Sequence, residues 1–409
     1  MIRLYLNLNK DSVMSKLEEL IQKYCPDGVE YAPLGDCLSY EQPTKYLVES
    51  TKYDDSFPIP VLTAGQTFIL GYTKESSGVF VASQDNPVII FDDFTTSFHW
   101  VEFSFKVKSS AMKMLRPIDE KKALFRYLYH CMKSIMYVPG DHTRQWIGTY
   151  SQFEIPLPPL PVQEEIVRVL DTFTELQAEL QAELQKRIQQ YNYYRDNLLS
   201  FEGRTDVEWK KLGDCIKSLN TGLNPRQFFK LNTDDATNYY VTIREMQHNT
   251  VVFNEGTDRM NDVALRLCNN RSNLEKGDIL FSGTGTIGEV AALEETPQNW
   301  NIKEGVYAIK PKHNILNHRF LMYLLQSSGI RQAYLKKAAG GTVKSVPMGE
   351  MRKLDIPVPS IDEQQKIVSI LDRFDTLTND LTTGLPAEIE KRRQQYEYYR
   401  DKLLTFKRI

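Results

Sequence analysis

Two short loops gather the side chains able to grip a phosphate or read a base. One is His142-Thr143-Arg144-Gln145-Trp146, just after a predicted turn at Pro139-Gly140, and the other is Gly340-Gly341-Thr342-Val343-Lys344-Ser345. Arg and Gln can meet a base edge with two parallel hydrogen bonds, while Lys and Ser can fix a phosphate. The candidate DNA contacts are therefore His142, Arg144, Gln145, Trp146, Lys344 and Ser345, together with Arg226, Lys230 and Arg244. Each of them also has a plainer reading, as a solvated or structural residue.

The other chemistry-bearing patterns dissolve on inspection. Gly283-Thr284-Gly285-Thr286-Ile287-Gly288 has the spacing of a dinucleotide fingerprint and follows a predicted strand. The fingerprint needs a helix straight after it, but Glu289 to Glu295 is short and Pro297 follows. A glycine-rich hairpin or loop fits better, with its backbone able to lie close to a phosphate. The histidines at 99, 130, 142, 248, 313 and 318 show no metal-ligand spacing. Asp119-Glu120-Lys121 is the nearest approach to a nuclease motif, and it sits where a helix is expected to begin. No catalytic residue and no metal site are expected in this chain.

What positions the two loops is a duplication. Pro156-Leu-Pro-Pro-Leu-Pro-Val-Gln-Glu-Glu-Ile-Val returns as Pro357-Val-Pro-Ser-Ile-Asp-Glu-Gln-Gln-Lys-Ile-Val, and Tyr191-Asn-Tyr-Tyr-Arg-Asp returns as Tyr396-Glu-Tyr-Tyr-Arg-Asp. Upstream, Val29-Glu-Tyr-Ala-Pro-Leu-Gly-Asp-Cys37 returns as Val207-Glu-Trp-Lys-Lys-Leu-Gly-Asp-Cys215. Internal repeats dictate the architecture before any single element does. Cys37 and Cys215 fall on equivalent positions and read as small buried packing residues.

After each proline lead-in, apolar residues recur at spacings of three and four, the mark of one helical stripe. The first helix is predicted over 162–201, about 60 Å at about 1.5 Å per residue. A stripe that long needs a partner, and the second copy supplies it. Leu170, Phe173, Leu180, Tyr191 and Tyr194 are the expected interface of the first helix, and Leu371, Phe374, Leu381, Tyr396 and Tyr399 that of the second. On a helix, the Tyr-Tyr-Arg-Asp pattern reads as packing rather than base stacking. Pro156, Pro158, Pro159 and Pro161 are expected as a stiff lead-in outside sheet and helix. The second copy is four residues longer, and Thr383-Gly384-Leu385-Pro386 predicts a break there.

The globular parts show the same order twice. A helix is predicted at Ser15 to Tyr24, a buried strand at Val88 to Phe91 and an alternating strand at Phe103 to Val107. Helices follow at Glu120 to Ile135 and, with Asn317 as N-cap, up to Lys337. Between these landmarks the two parts diverge, so one frame carries two surfaces. The expected fold class is α+β: two globular recognition domains in tandem, joined by two long antiparallel helices in a coiled coil. The expected divisions are 1–28, 29–155, 156–204, 205–355 and 356–409.

Bulk properties agree with a soluble chain. Its 409 residues are 41% hydrophobic and 25% charged, enough for two or more domains. No run of 18 apolar residues occurs, which argues against a membrane span, and the opening residues argue against a signal peptide. Five cysteines with no Cys-x-x-Cys pair suit a reduced cytoplasmic setting. Net charge is −3, but residues 29–155 hold 12 Lys+Arg against 15 Asp+Glu and residues 207–355 hold 20 against 16. Non-specific attraction to DNA is therefore weak, and partners must neutralise much of the phosphate charge.

Taken together, the paired Ile-Pro-x-Pro lead-ins at 155 and 356, the paired Tyr-Tyr-Arg-Asp ends, Leu-Gly-Asp at 34 and 212, Gly277-Asp-Ile-Leu-Phe-Ser and Gly341-Thr-Val-Lys-Ser resemble the specificity subunit of type I restriction-modification systems over essentially the whole chain. The resemblance implies a non-catalytic, prokaryotic, nucleoid-associated subunit with two target-recognition domains, each reading half of a bipartite site in double-stranded DNA. It implies helices that space the half-sites and dock two methyltransferase subunits, joined by restriction/translocase subunits. AdoMet, ATP and Mg²⁺ would belong to those partners, and no membrane is involved. Many members begin near the equivalent of Met14, so Met1 to Val13 departs from the family pattern, as an upstream start or an added segment. A helical scaffold that touches no DNA and a self-contained DNA-modifying enzyme remain the alternatives.

Overall fold

The structure, a computed structural model, describes residues 10–65, 67–379 and 384–409. The chain divides into two compact units, Met1–Ala178 with Lys391–Ile409 and Glu179–Glu390. Two helices are divided between them: Leu160–Leu198 gives its first half to one unit and its second half to the other, and Leu385–Leu403 is split after Glu390. The spatial units thus cut across the chain-order divisions that the repeats imply.

In the first unit a four-stranded antiparallel sheet runs Leu38–Glu41, Met112–Pro117, Val88–Asp92, Phe98–Val101. The second repeats it as Ile216–Thr221, Val306–Pro311, Ile279–Ser282, Val290–Ala292. The central strands Val88–Asp92 and Ile279–Ser282 are apolar up to their last residue because both faces are covered. Ile89 and Phe91 face the helical core, while Val88 and Ile90 face a second core against a smaller sheet. That smaller sheet orders Ile69–Thr73, Ile59–Leu62, Lys106–Val107 in the first unit and Arg259–Met260, Asn238–Val241, Trp300–Ile302 in the second, each with one antiparallel and one parallel pairing.

Several local expectations need correction. The strand expected at Phe103 to Val107 is only Lys106–Val107, and Lys106 points inward, paired with Glu75 at 2.8 Å. The helix expected from Glu120 spans Phe125–Ser134, because Asp119 first closes a turn onto the Lys121 N–H. Asn317 caps its helix through the Phe320 N–H, but the helix runs His318–Gln326 and restarts at Ser328–Leu335. The first helix starts at Lys10, and the first long helix occupies Leu160–Leu198.

The proline lead-ins lie only partly outside regular structure: Pro158 and Pro159 fall between strand and helix, as expected, but the flanking prolines do not. Pro156 lies in the strand Glu154–Leu157, opposite Tyr31, and Pro357 lies in Asp355–Val358, opposite Trp209. A two-stranded ribbon has free edges, so a residue without an N–H is accommodated there. Pro161 occupies the first turn of its helix, where the missing N–H costs nothing. The second copy forms Ile361–Asn379 and Leu385–Leu403, with Pro386 in the latter's first turn; Thr383 of the expected break lies outside the described residues, with 380–382. All five cysteines are free and buried, and burial pushes the Cys131 thiol up to about 12.

Within each unit the two helices run antiparallel. In the first, Phe173 meets Tyr399, and further along Glu154 pairs with Arg408. In the second, Tyr194 meets Phe374, and further along Arg204 pairs with Glu363. Leu170, Leu180, Tyr191, Leu371 and Tyr396 are buried, as an apolar seam requires, while Leu381 lies outside the described residues. Among the described residues, no helix is long and apolar enough to cross a membrane.

Candidate nucleic-acid interface

In the second unit a cleft of about 910 Å³ opens over the end of the four-stranded sheet, and Arg226, Arg244 and Lys303 line it. Local capping sets two of these cations. Asn224 caps the single turn Pro225–Phe228 by accepting from the Arg226 N–H at 3.0 Å. Thr242 and Glu245 form a reciprocal capping box around the turn Ile243–Glu245. Arg244 donates to Asp258 at 2.8 Å yet leaves 57% of its side chain exposed. Asp258 and Glu304 are the acids on the wall, so three cations face two carboxylates. Lys230 is exposed next to Leu231, which also lines the cleft.

The predicted loop at Gly340 to Ser345 forms the lip of the same cleft. Ala339 and Ser345 exchange two backbone hydrogen bonds of 2.8 Å, and Gly340 takes φ +119°, which favours glycine. Gly285 N–H donates to Lys344 O at 2.9 Å, and Ser345 bridges to Thr284, a wall residue. Gly283 to Gly288 is the turn of an antiparallel hairpin between Ile279–Ser282 and Val290–Ala292, closed by Ser282, whose hydroxyl accepts from Glu289 N–H. Arg226 and Arg244 thus line the concavity, and the loop that carries Lys344 and Ser345 borders it through Thr284. Tyr307, whose phenol burial pushes above its usual range, donates to Val346 O at 2.8 Å behind them. Such a concavity can hold phosphates by charge and present guanidinium groups to base edges.

The first unit divides its candidates. His142 and Arg144 are exposed, and Arg144 makes no ion pair among the described residues. Trp146 is 2% exposed and packs edge-on against Phe91 in the core, and Gln145 is 3% exposed. Gln145 accepts from the Tyr137 hydroxyl at 2.7 Å and donates to Thr143 O at 2.9 Å. These two side chains shape the loop from beneath and have no surface to offer DNA, which corrects the expectation for them.

Sequence reasoning missed a polar pair that anchors both helices. Gln163, fully buried, accepts from Leu124 N–H at 2.9 Å and donates to Lys122 O at 3.0 Å and Pro158 O at 2.7 Å. Gln364 repeats all three bonds with Asn317 N–H, Ile315 O and Pro359 O. The available signal was the shared Gln within the two lead-ins. Arg126 with Asp171 and Arg319 with Asp372 form a second duplicated tie, at 2.8 Å each. Burial pushes the Asp171 carboxyl up, but His130 and Arg126 outweigh it and hold the group below its ordinary range.

Residues 26–190 and 205–391 each match the family model for the type I restriction modification DNA specificity domain. The chain is 43% identical over 408 residues to the specificity subunit of the type I restriction enzyme EcoR124I/EcoR124II of Escherichia coli, covering 97% of this chain and 98% of that protein. It is 28% identical to a putative type I restriction enzyme specificity subunit of Haemophilus influenzae, covering 95% and 98%. A crystal structure of the type I restriction-modification S subunit from M. genitalium shares the fold, with a TM-score of 0.54 at 14% identity over 93% of this chain and 97% of that one.

Proposed function

The chain belongs to the type I restriction-modification DNA specificity family, and from that premise we propose how it reads DNA and what it leaves to partners. The second unit reads one half of a bipartite target through Arg226, Arg244, Lys303 and the Lys344-Ser345 lip. The first unit reads the other half through His142 and Arg144. The observation that carries this reading is one α+β frame built twice with different residues at the same place. Two different surfaces give two dissimilar half-sites, and a helical spacer turns two weak contacts into one distance-selective contact.

Chemistry falls to other subunits. Two methyltransferase subunits carrying AdoMet dock on the helices, and restriction/translocase subunits using ATP and Mg²⁺ join them in the cytoplasm. The chain itself supplies recognition and spacing, and its low net charge leaves much phosphate neutralisation to those partners. Selection from random-sequence duplexes by the chain with its methyltransferase subunit tests this. A two-part motif with a fixed gap is expected; enrichment of no motif by a stable complex would favour the scaffold alternative.

A further inference from the structure

Both units hold the recognition loop by the same backbone crossing. Asp93 N–H donates to Ala111 O at 3.1 Å, and Asp93 O accepts from Gln145 N–H at 2.8 Å. In the second unit Gly283 N–H donates to Gly305 O at 2.8 Å, and Gly283 O accepts from Val346 N–H at 2.9 Å. Sheet register fixes the equivalence, since Phe91 pairs with Lys113 and Phe281 with Tyr307.

Around this common crossing, three side chains differ together. In the first unit the Asp93 carboxylate accepts from the Trp146 N–H at 2.8 Å and meets Lys113 Nζ at 3.2 Å, with both charged side chains 1% exposed. In the second unit residue 283 is glycine, residue 307 is tyrosine and the residue after Val346 is Pro347. Proline has no N–H, so no carboxylate is needed to receive one. A Cβ at 283 would come within 2.2 Å of the Tyr307 ring. Each set is consistent only with itself: a buried N–H requires an acceptor, and a buried carboxylate requires a countercharge.

We infer that Asp93, Lys113 and the Trp146 N–H form a positioning latch that sets His142 and Arg144 against the first unit's half-site, as Gly283, Tyr307 and Pro347 set Lys344 and Ser345. The inference rests on the DNA-reading role proposed above. Asp93 and Lys113 are too deeply buried to touch DNA, so they act through the loop. They are positioning residues.

The test uses the full chain with its methyltransferase subunit and reads methylation at sites carrying one-base changes in either half. Asp93→Asn with Lys113→Met removes both charges but keeps an acceptor for Trp146 N–H. Asp93→Leu with Lys113→Met removes the charges and the acceptor. The first double variant should discriminate like the original chain at both half-sites. The second should lose about tenfold discrimination in the first unit's half-site alone. Unchanged discrimination in the second variant, or an equal loss at both half-sites, would overturn the latch. Hydrogen exchange on the unaltered chain guards against a variant that fails to fold. The Gln145 and Trp146 amides should be protected as long as those of Val88–Asp92, and exchange as fast as an exposed loop would also overturn it. If the unaltered chain selects no two-part motif, the DNA reading itself fails, and the latch with it.

Discussion

The ring of Phe173 stacks on that of Tyr399, with centroids 5.3 Å apart and planes 19° from parallel. The repeat maps Phe173 onto Phe374 and Tyr399 onto Tyr194, and those two stack as well, at 5.4 Å and 27°. Each copy therefore supplies the phenylalanine of one stack and the tyrosine of the other. A half-chain holding Phe173 and Tyr194 carries both complements of a second copy of itself.

A chain ending near residue 204 is accordingly expected to form a homodimer and direct methylation to a palindromic site. Phe173→Ala in that half-chain removes two symmetric stacks, each worth about 0.5–1.5 kcal/mol beyond burial, so dimerisation weakens at least roughly tenfold. Sedimentation with the methyltransferase subunit present checks both. A monomeric half-chain would refute the seam.

The cleft predicts a division of labour among its cations. Lys303→Ala should weaken binding evenly across sequences and lower the salt slope by about one. Arg226→Ala and Arg244→Ala should cost about 1–3 kcal/mol and relax preference only in the second unit's half-site. Titration of DNA carrying each half-site variant, at two salt concentrations, separates the outcomes.

Gln163→Leu leaves a buried N–H and two carbonyls without their partner, each worth about 1–3 kcal/mol when orphaned. Denaturant unfolding should show a loss of about 3 kcal/mol or more, and Gln364→Leu a similar loss in the second unit. Loss well under 1 kcal/mol would mean that water replaces the amide.

The frame was legible in the sequence because duplication exposes it. Paired lead-ins, the Leu-Gly-Asp-Cys turns and the stripe through Leu170 and Leu371 all recur, and the structure buries Leu170, Leu180, Tyr191, Leu371 and Tyr396 but leaves Tyr194 40% exposed. The candidate site was legible only in part. Loop composition singled out Arg226 and Arg244, which line one cleft, and Lys344 and Ser345, whose loop bridges to Thr284 on its wall. It misjudged Gln145 and Trp146, because polarity and loop position say nothing of an acid 53 residues upstream that draws the Trp146 N–H inward. Lys106 and Lys113 were invisible for the same reason: a lysine reads as solvated until its buried partner is known.

Acid should weaken the first unit in two steps. Burial holds the His130 pKa below its usual 6.5 despite Asp171 beside it. The unfolded chain then takes up the proton at higher pH than the folded one, so this contribution is full above 6.5 and is lost as pH falls through the lower folded value. Asp171 is held below 3.8, so its contribution is lost only below that pH. His130→Gln should flatten the first step in pH-dependent melting and, because His130 also helps hold Asp171 low, shrink the second; an unchanged slope just below 6.5 would contradict the assignment.

Genome-wide mapping of N6-methyladenine, in a host carrying the cognate methyltransferase subunit with and without this chain, reads out target recognition by the two units. A two-part motif with a fixed unspecified gap is expected, present only with the chain. With Arg226→Ala and Arg244→Ala together, that motif should degenerate in one part alone. Methylation that ignores the chain, or a motif that degenerates in both parts equally, would contradict it.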